Sequence, residues 1–307
     1  MRALRFHEFG GPEVLRLDEG VPVPEPSEGQ VLVRVAGAGV NPIDWKIRQG
    51  YTKGTFDVAL PAIVGFEFSG TIEKLGPGVS DFSVGDEVYG GSPNSCADYV
   101  VAAAKSIARK PVSMDLVDAG GVPVASITAW QALFNVAKLQ NGQKILVQAA
   151  SGGVGSFAVQ LAKWAGAYVA GTASANNRHL IQELGVDEAI DYKQTDFSKA
   201  LSGYDAVLET IGGDNFAKDL AILKPGGVVV SLVGPAPQGL EVADGKRVAP
   251  MSSQQNTADL EKIANLIQDV ILKPVIDTVV PFREAIELQK LSQEGHLVGK
   301  SVVNMLA

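Results

Sequence analysis

The sequence predicts an α/β protein in two parts, a doubly wound parallel sheet joined to a mainly antiparallel β domain. Three observations predict this. The 307 residues exceed the usual size of one domain. The first third is written in short β-branched runs separated by turn residues, "VLVRVAGAGV" after "PVPEPSEGQ" and "FSGTIEKLG" before "PGVSDFSVGDEVYG", as antiparallel strands are. Beyond residue 120, strand-like and helix-like segments alternate at the spacing of parallel β-α-β units.

In the second part, strands are expected at 144–149, 168–173, 188–192, 204–210 and 226–234. The segments between them, such as "VGSFAVQLAKWAG" and "ANNRHLIQELG", mostly close on glycine, as helix ends do. The tail departs from this rhythm. "TADLEKIANLIQDV" reads as one amphipathic helix, while "PVIDTVV" and "GKSVVNML" return to strand character and are expected to rejoin the first part. The expected division is therefore 1–120 with 274–307 as one domain and 121–273 as the other.

Composition narrows the function classes. Apolar residues make up 46% of the chain and charged residues 20%, as in an ordinary globular protein. The net charge is -8 and no Lys/Arg block stands out, which speaks against nucleic acid and against an anionic membrane surface. The uncharged runs 119–137 and 145–162 carry glycines and polar residues and read as core, not as membrane spans. The single cysteine, Cys96, excludes an internal disulfide and a thiolate metal cluster. The start "MRALRFHEFGG" has no apolar signal stretch, so a cytoplasmic location is expected.

The strand "KILVQAA" followed by "SGGVG" and an apolar helix is the context of a dinucleotide turn. Small residues let the backbone approach a pyrophosphate, and the helix N-terminus offers free N–H groups. Ala149, Gly152 and Gly155 fit an AxxGxxG register, and a GxGxxA register starting at Gly153 fits equally well. The turn residues Ala150, Ser151, Gly152, Gly153, Val154 and Gly155 are the first cofactor-binding candidates.

The second strand of this part carries sharper information. An NAD site wants an Asp or Glu at its end to bind the adenosine ribose hydroxyls, yet no acidic residue occurs from Ser156 to Gln182. The strand ends instead in "GTASANNR". There Ser174 and Arg178 are suited to hydrogen-bond and pair with a 2'-phosphate, so NADP(H) is expected. Tyr192, at the end of the third strand, is a candidate to pack near the adenine.

At this point the residues resemble a family. "QAASGGVGSFAVQLAKWAGA", preceded by "ITAWQAL" and "GFEFSGTIEKLGPGVSDFSVGDEVYG", resembles the medium-chain dehydrogenase/reductase superfamily, in its zinc-independent quinone oxidoreductase and enone reductase branch. The likeness runs from "GGPEVL" to "GHLVGKSVVNM". It implies a Rossmann-type nucleotide domain, a GroES-like catalytic domain and a homodimer. Zinc alcohol dehydrogenases of the superfamily have a Cys where this chain has Asn41 and a His where it has Phe66, and commonly a four-cysteine lobe as well. The resemblance therefore implies no metal. Independently, His7, His179 and His296 are scattered and none stands at metal-ligand spacing from another.

Without a Lewis acid an alcohol oxidation loses the stabilisation of its alkoxide, whereas reducing a quinone or activated alkene needs hydride delivery and modest stabilisation of an enolate-like oxygen. The expected activity is NADPH-dependent reduction of a small-molecule quinone or enone. A non-catalytic NADPH-binding sensor or partner-binding protein is the alternative from another class, and an alcohol dehydrogenase a distant third. Asn41, at the place of the lost ligand, is the candidate oxyanion donor. Tyr51 in "RQGYTKG" is the second catalytic candidate, and Asp44 and Lys46, in the same loop, are minor substrate-channel candidates. By position in the resemblance, Thr128 in "ITAW", Gly234 in "SLVGPA" and Lys300 in the closing "GK" are expected near the cofactor.

Overall fold

The computed structural model describes residues 1–295 and 297–307, so His296 lies outside the described residues. In chain order the elements are β1 (Ala3–Phe6), β2 (Leu15–Asp18), β3 (Gln30–Val40), α1 (Pro42–Arg48), β4 (Ala62–Ile63), β5 (Glu67–Leu75), β6 (Glu87–Gly91), β7 (Tyr99–Ala103) and β8 (Ile107–Arg109). There follow α2 (Pro123–Trp130), β9 (Lys144–Val147), α3 (Gly153–Trp164), β10 (Tyr168–Ala173), α4 (Arg178–Glu183), β11 (Glu188–Asp191), α5 (Phe197–Ala200), β12 (Tyr204–Glu209), α6 (Asn215–Ile222), β13 (Leu223–Ser231) and β14 (Arg247–Pro250). The tail holds α7 (Thr257–Gln268), β15 (Ile276–Pro281), α8 (Ala285–Glu294) and β16 (Lys300–Asn304). Short 3-10 turns and one π-helical segment, Gln131–Val136, complete the list.

Two compact units result: Met1–Val124 with Gln255–Val270 and Pro274–Ala307, and Ala125–Gln254 with Ile271–Lys273. In the first unit the order β15-β16-β3-β5-β6-β8, with β7 also on β3, builds a mainly antiparallel sheet. Its one parallel pair, β15 with β16, is joined through α8, as a parallel crossover requires. A smaller sheet has the order β2-β1-β4. Val33, Phe68, Ile72, Val88 and Ile107 are all but inaccessible and belong to the core of this unit.

The expected tail strands do rejoin this unit, β16 pairing antiparallel with β3 from Ser301↔Val40 to Asn304↔Gly37. The tail helix α7 differs from the expected division. It packs on β8 of the first unit, where the Tyr89 hydroxyl donates to the Leu260 carbonyl at 2.6 Å. An amphipathic pattern announces a buried face but not its partner.

The second unit is a six-stranded parallel sheet in the order β11-β10-β9-β12-β13-β14. That is the 3-2-1-4-5-6 order of a doubly wound nucleotide fold. All five expected strands are present. Leu146, Ala170, Val207 and Val229, from four neighbouring strands, are fully buried, as both faces of such a sheet must be. The sixth strand, β14, was not legible: "RVAP" is short, half exposed and ends in proline, a residue tolerated only at such edges. No described helix is long and apolar enough to cross a membrane.

Candidate active site and dinucleotide site

In the second unit, β9 runs into the glycine turn and the turn into α3. The Ala149 carbonyl accepts the Gly152 N–H at 2.9 Å, and the first bond of α3 is Ser156 N–H to the Gly152 carbonyl at 2.9 Å. The first-turn N–H groups at Gly153, Val154 and Gly155 therefore precede the helical ladder, and no side chain caps them. This is the donor set a pyrophosphate takes. Gly155 is required by close approach, since a Cβ there would lie 2.2 Å from the Ala149 carbonyl oxygen and 2.8 Å from the Ala150 Cα. The turn thus fits the expected dinucleotide.

At the strand ends beside it, the sequence candidates come together. β10 and β11 are parallel with Ala173 opposite Asp191, and the Tyr192 N–H donates to the Ala173 carbonyl at 3.3 Å. Ser174 and Tyr192 consequently follow side by side. The Asn177 N–H bonds the Ser174 carbonyl at 3.0 Å, and the Asn177 amide donates to the Ser151 hydroxyl at 3.2 Å, tying this corner to the glycine turn. Arg178 is exposed at the start of α4. Sequence reasoning missed Lys193, whose ammonium lies 5.9 Å from the centroid of the Tyr192 ring. Asp191 is turned away onto the Lys193 N–H at 3.0 Å. A cation directly after the strand-end tyrosine was the available signal.

Thr128 and Gly234 also belong to this unit. The Thr128 hydroxyl donates to Ser253 at 2.8 Å, and Gln131 and Gln254 exchange two hydrogen bonds at 2.9 and 3.0 Å, so α2 and the loop after β14 are fastened together. The Gly234 carbonyl accepts from the Ser231 hydroxyl at 2.6 Å, and the Gly234 Cα faces open space.

The first unit holds a buried polar centre around Asn41. Asn41 ends the extended chain of β3 and caps α1. Its amide donates to Glu67 Oε1 at 2.7 Å, while its Oδ1 accepts from Lys300 Nζ at 2.6 Å. Lys300 also bonds the Val40 carbonyl at 2.9 Å and Glu67 Oε1 at 2.6 Å, and the second Glu67 oxygen accepts the Val124 N–H at 2.7 Å. Asn41, Glu67 and Lys300 are 6%, 0% and 3% exposed. An ammonium only donates and a carboxylate only accepts, so the two neighbours fix which way the Asn41 amide points.

Gly39 makes room for this centre: a Cβ there would lie 2.3 Å from Glu67 Oε1. Lys300 was placed near the cofactor by resemblance, and Glu67 was passed over. It stands opposite Gly39 at the start of a strand of mixed polarity, which gives no signal of its own.

Asp44 is buried in α1. Its Oδ2 accepts the Asn41 N–H at 2.9 Å and the Gln289 amide at 3.3 Å, while Oδ1 has no protein partner. Burial pushes its pKa up to about 7, against the lowering effect of those hydrogen bonds and of Lys300. Tyr51 follows α1 and is 71% exposed, its ring edge-on to Trp45 at 6.2 Å. Lys46 lies over the Trp45 ring at 5.6 Å. A small apolar hollow is lined by Phe6, Ile47, Phe56, Val58 and Phe66, with Asp44 and Asn94 as polar members of its wall. Phe56 and Phe66 meet edge to face at 5.2 Å.

Among the described residues no three His, Cys, Asp or Glu side chains come together as a metal set. His7 bonds Asp18 at 2.8 Å and His179 lies 3.2 Å from Glu183.

Residues 27–174 match the family model of the alcohol dehydrogenase GroES-like domain, and residues 184–303 that of a zinc-binding dehydrogenase. The chain is 34% identical to the chloroplast envelope quinone oxidoreductase homolog of Arabidopsis thaliana, over 99% of this chain and 98% of that one. The chain belongs to the medium-chain dehydrogenase/reductase superfamily, in its zinc-independent quinone and enone oxidoreductase branch. Within this branch it is 35% identical to the NADPH-dependent alkenal/one oxidoreductase of A. thaliana chloroplasts, over 99% of this chain and 79% of that one. It also superposes on the quinone oxidoreductase of Coxiella burnetii with a TM-score of 0.89 and 32% identity, covering 99% of each chain. Zinc-binding dehydrogenase is the name of the matched family model, and the branch to which this chain belongs is zinc-independent.

Proposed function

We propose that the protein is an NADPH-dependent reductase that delivers hydride to a quinone ring or to the β-carbon of an α,β-unsaturated carbonyl, without zinc. What supports this is Asn41, a neutral amide gripped by Lys300 and Glu67, which the family resemblance sets where zinc relatives carry a cysteine. Such a centre lacks the Lewis acid of alcohol oxidation but retains a fixed hydrogen-bond donor. NADPH, when bound, supplies the hydride; the protein supplies alignment and charge complementarity.

The glycine turn and the first turn of α3 hold the pyrophosphate, and Ser174, Arg178, Tyr192 and Lys193 hold the adenosine end with its 2'-phosphate. Thr128 and Gly234 order the rest of the cofactor's surroundings in the second unit, while Lys300, its hydrogens taken by Glu67, Asn41 and the Val40 carbonyl, holds Asn41 in place. Asn41 spends one amide N–H on Glu67; its second is proposed to meet the oxygen that becomes an enolate or hydroquinone anion. Tyr51 is the proposed second donor, and solvent delivers the closing proton to the α-carbon. The reading includes a homodimer and a cytoplasmic location, which sedimentation and cell fractionation test. The activity itself is tested by NADPH oxidation against a panel of quinones and enones. Turnover of either class supports it, whereas tight NADPH binding without any turnover supports a sensor instead.

A further inference from the structure

A buried carboxyl pair lies beneath the glycine turn of the second unit. Glu209 ends β12, Asp219 sits on α6, and neither is accessible to solvent. Two carboxyls that adjoin in a buried site cannot both stay ionised, so the pair holds a proton. The remaining contacts show where. Glu209 Oε1 accepts the N–H of Gly212 at 2.7 Å and the N–H of Ile211 as well, donors that favour a charged carboxylate. Asp219 Oδ1 accepts only the neutral amide of Gln148, at 2.9 Å. Glu209 Oε2 and Asp219 Oδ2 are otherwise unpartnered, and a hydrogen on Asp219 donated to Glu209 satisfies both. Burial, then the adjoining Glu209, raises the Asp219 pKa far above the usual carboxylate range.

From Asp219 the hydrogen bonds run in one direction to the turn. Gln148 Oε1 accepts from the Thr172 hydroxyl at 3.2 Å, and the Thr172 oxygen accepts from the Ala149 N–H at 3.1 Å. Ala149 is a non-glycine residue with φ of 47°, in the left-handed region that costs a Cβ-bearing residue energy. Its carbonyl is the one that holds Gly152 and against which Gly155 packs. Each donor in this chain is fixed by the acceptor beyond it, and the last acceptor is Glu209. The other charged groups at α6 are engaged elsewhere: Lys218, on the helix, is paired with Asp196 at 3.6 Å, and Lys246, just before β14, caps the Leu220 carbonyl at 2.9 Å.

We propose that a neutral Asp219, donating to Glu209, is a positioning residue for the dinucleotide turn, acting through Gln148 and Thr172 on the left-handed bend at Ala149. This rests on the reading of that turn as the NADPH site. The test is the Kd for NADPH, followed by nucleotide fluorescence from pH 7 to pH 10, for the wild type, D219N and D219L, with kcat at saturating NADPH measured alongside. In D219N the asparagine amide accepts from Gln148 and donates to Glu209 without titrating. Its Kd is expected within twofold of wild type at pH 7, and it should escape the weakening that the wild type undergoes as the pair ionises at alkaline pH. D219L is expected to bind at least tenfold more weakly, with kcat within threefold. An unchanged Kd in a folded D219L, a D219N as weak as D219L, or parallel pH profiles for wild type and D219N would overturn the inference. Failure of the wild type to bind NADPH at all would overturn the reading of the turn beneath it.

Discussion

Lys300 Nζ lies 2.6 Å from Glu67 Oε1, with the two side chains 3% and 0% exposed. All three ammonium hydrogens are spoken for, by Glu67, Asn41 and the Val40 carbonyl, which join β16, β5 and the end of β3. A pair buried this deeply is costly to break from one side, because the survivor is left charged in a low dielectric.

K300M is accordingly expected to destabilise the protein by about 3–5 kcal/mol. The double variant E67Q/K300M should recover part of that loss, since it leaves no bare charge. Urea unfolding reads both; a double variant less stable than K300M by the full cost of a second independent mutation would show that the two side chains do not act as a pair.

N41A should leave the NADPH Kd unchanged and lower kcat by roughly 10–100-fold, the range for loss of one oxyanion donor or somewhat below it. The Lys300–Glu67 contact survives this change, so folding is preserved. Full activity in N41A would remove Asn41 from the catalytic step.

At the adenosine corner, R178A should raise KM for NADPH by about tenfold, or ~1.4 kcal/mol, while leaving KM for NADH alone. Steady-state kinetics with both nucleotides distinguishes a phosphate contact from a general effect. Equal shifts would mean that Arg178 does not touch the phosphate.

Asp44 supplies a pH dependence of stability whose sign is fixed. Its folded pKa, about 7, lies above the 3.8 of an ordinary aspartate, so between those values the native state binds the proton more tightly than the unfolded chain. Stability from this group is therefore present at low pH and lost as pH rises from about 4 to 7, by up to about 4 kcal/mol at 1.36 kcal/mol per unit. D44N, which cannot ionise, should show a smaller drop in urea midpoint between pH 5 and pH 8 than the wild type. Identical drops would contradict the assignment.

The nucleotide half of the fold was legible because each β-α-β unit carries its own local evidence: apolar strand, glycine, helix. The glycine turn, Ser174, Arg178 and Tyr192 could be proposed for the same reason, since they stand at or just beyond strand ends. What escaped depends on distant partners. The placement of α7, the edge strand β14 and the Lys300–Glu67–Asn41 centre join segments far apart in sequence, and Glu67 alone looks like any acid in a strand. Gln148 and Thr172, likewise, read as ordinary strand ends until the buried pair behind them is seen.

The most direct measurement is the rate of NADPH oxidation by the purified protein with a simple quinone and a simple enone, with NADH in parallel and metal content measured on the same sample. Turnover of at least one acceptor, strong preference for NADPH over NADH, and activity unchanged after chelation are the expected result. No turnover with either acceptor class, or a preference for NADH, would contradict the account.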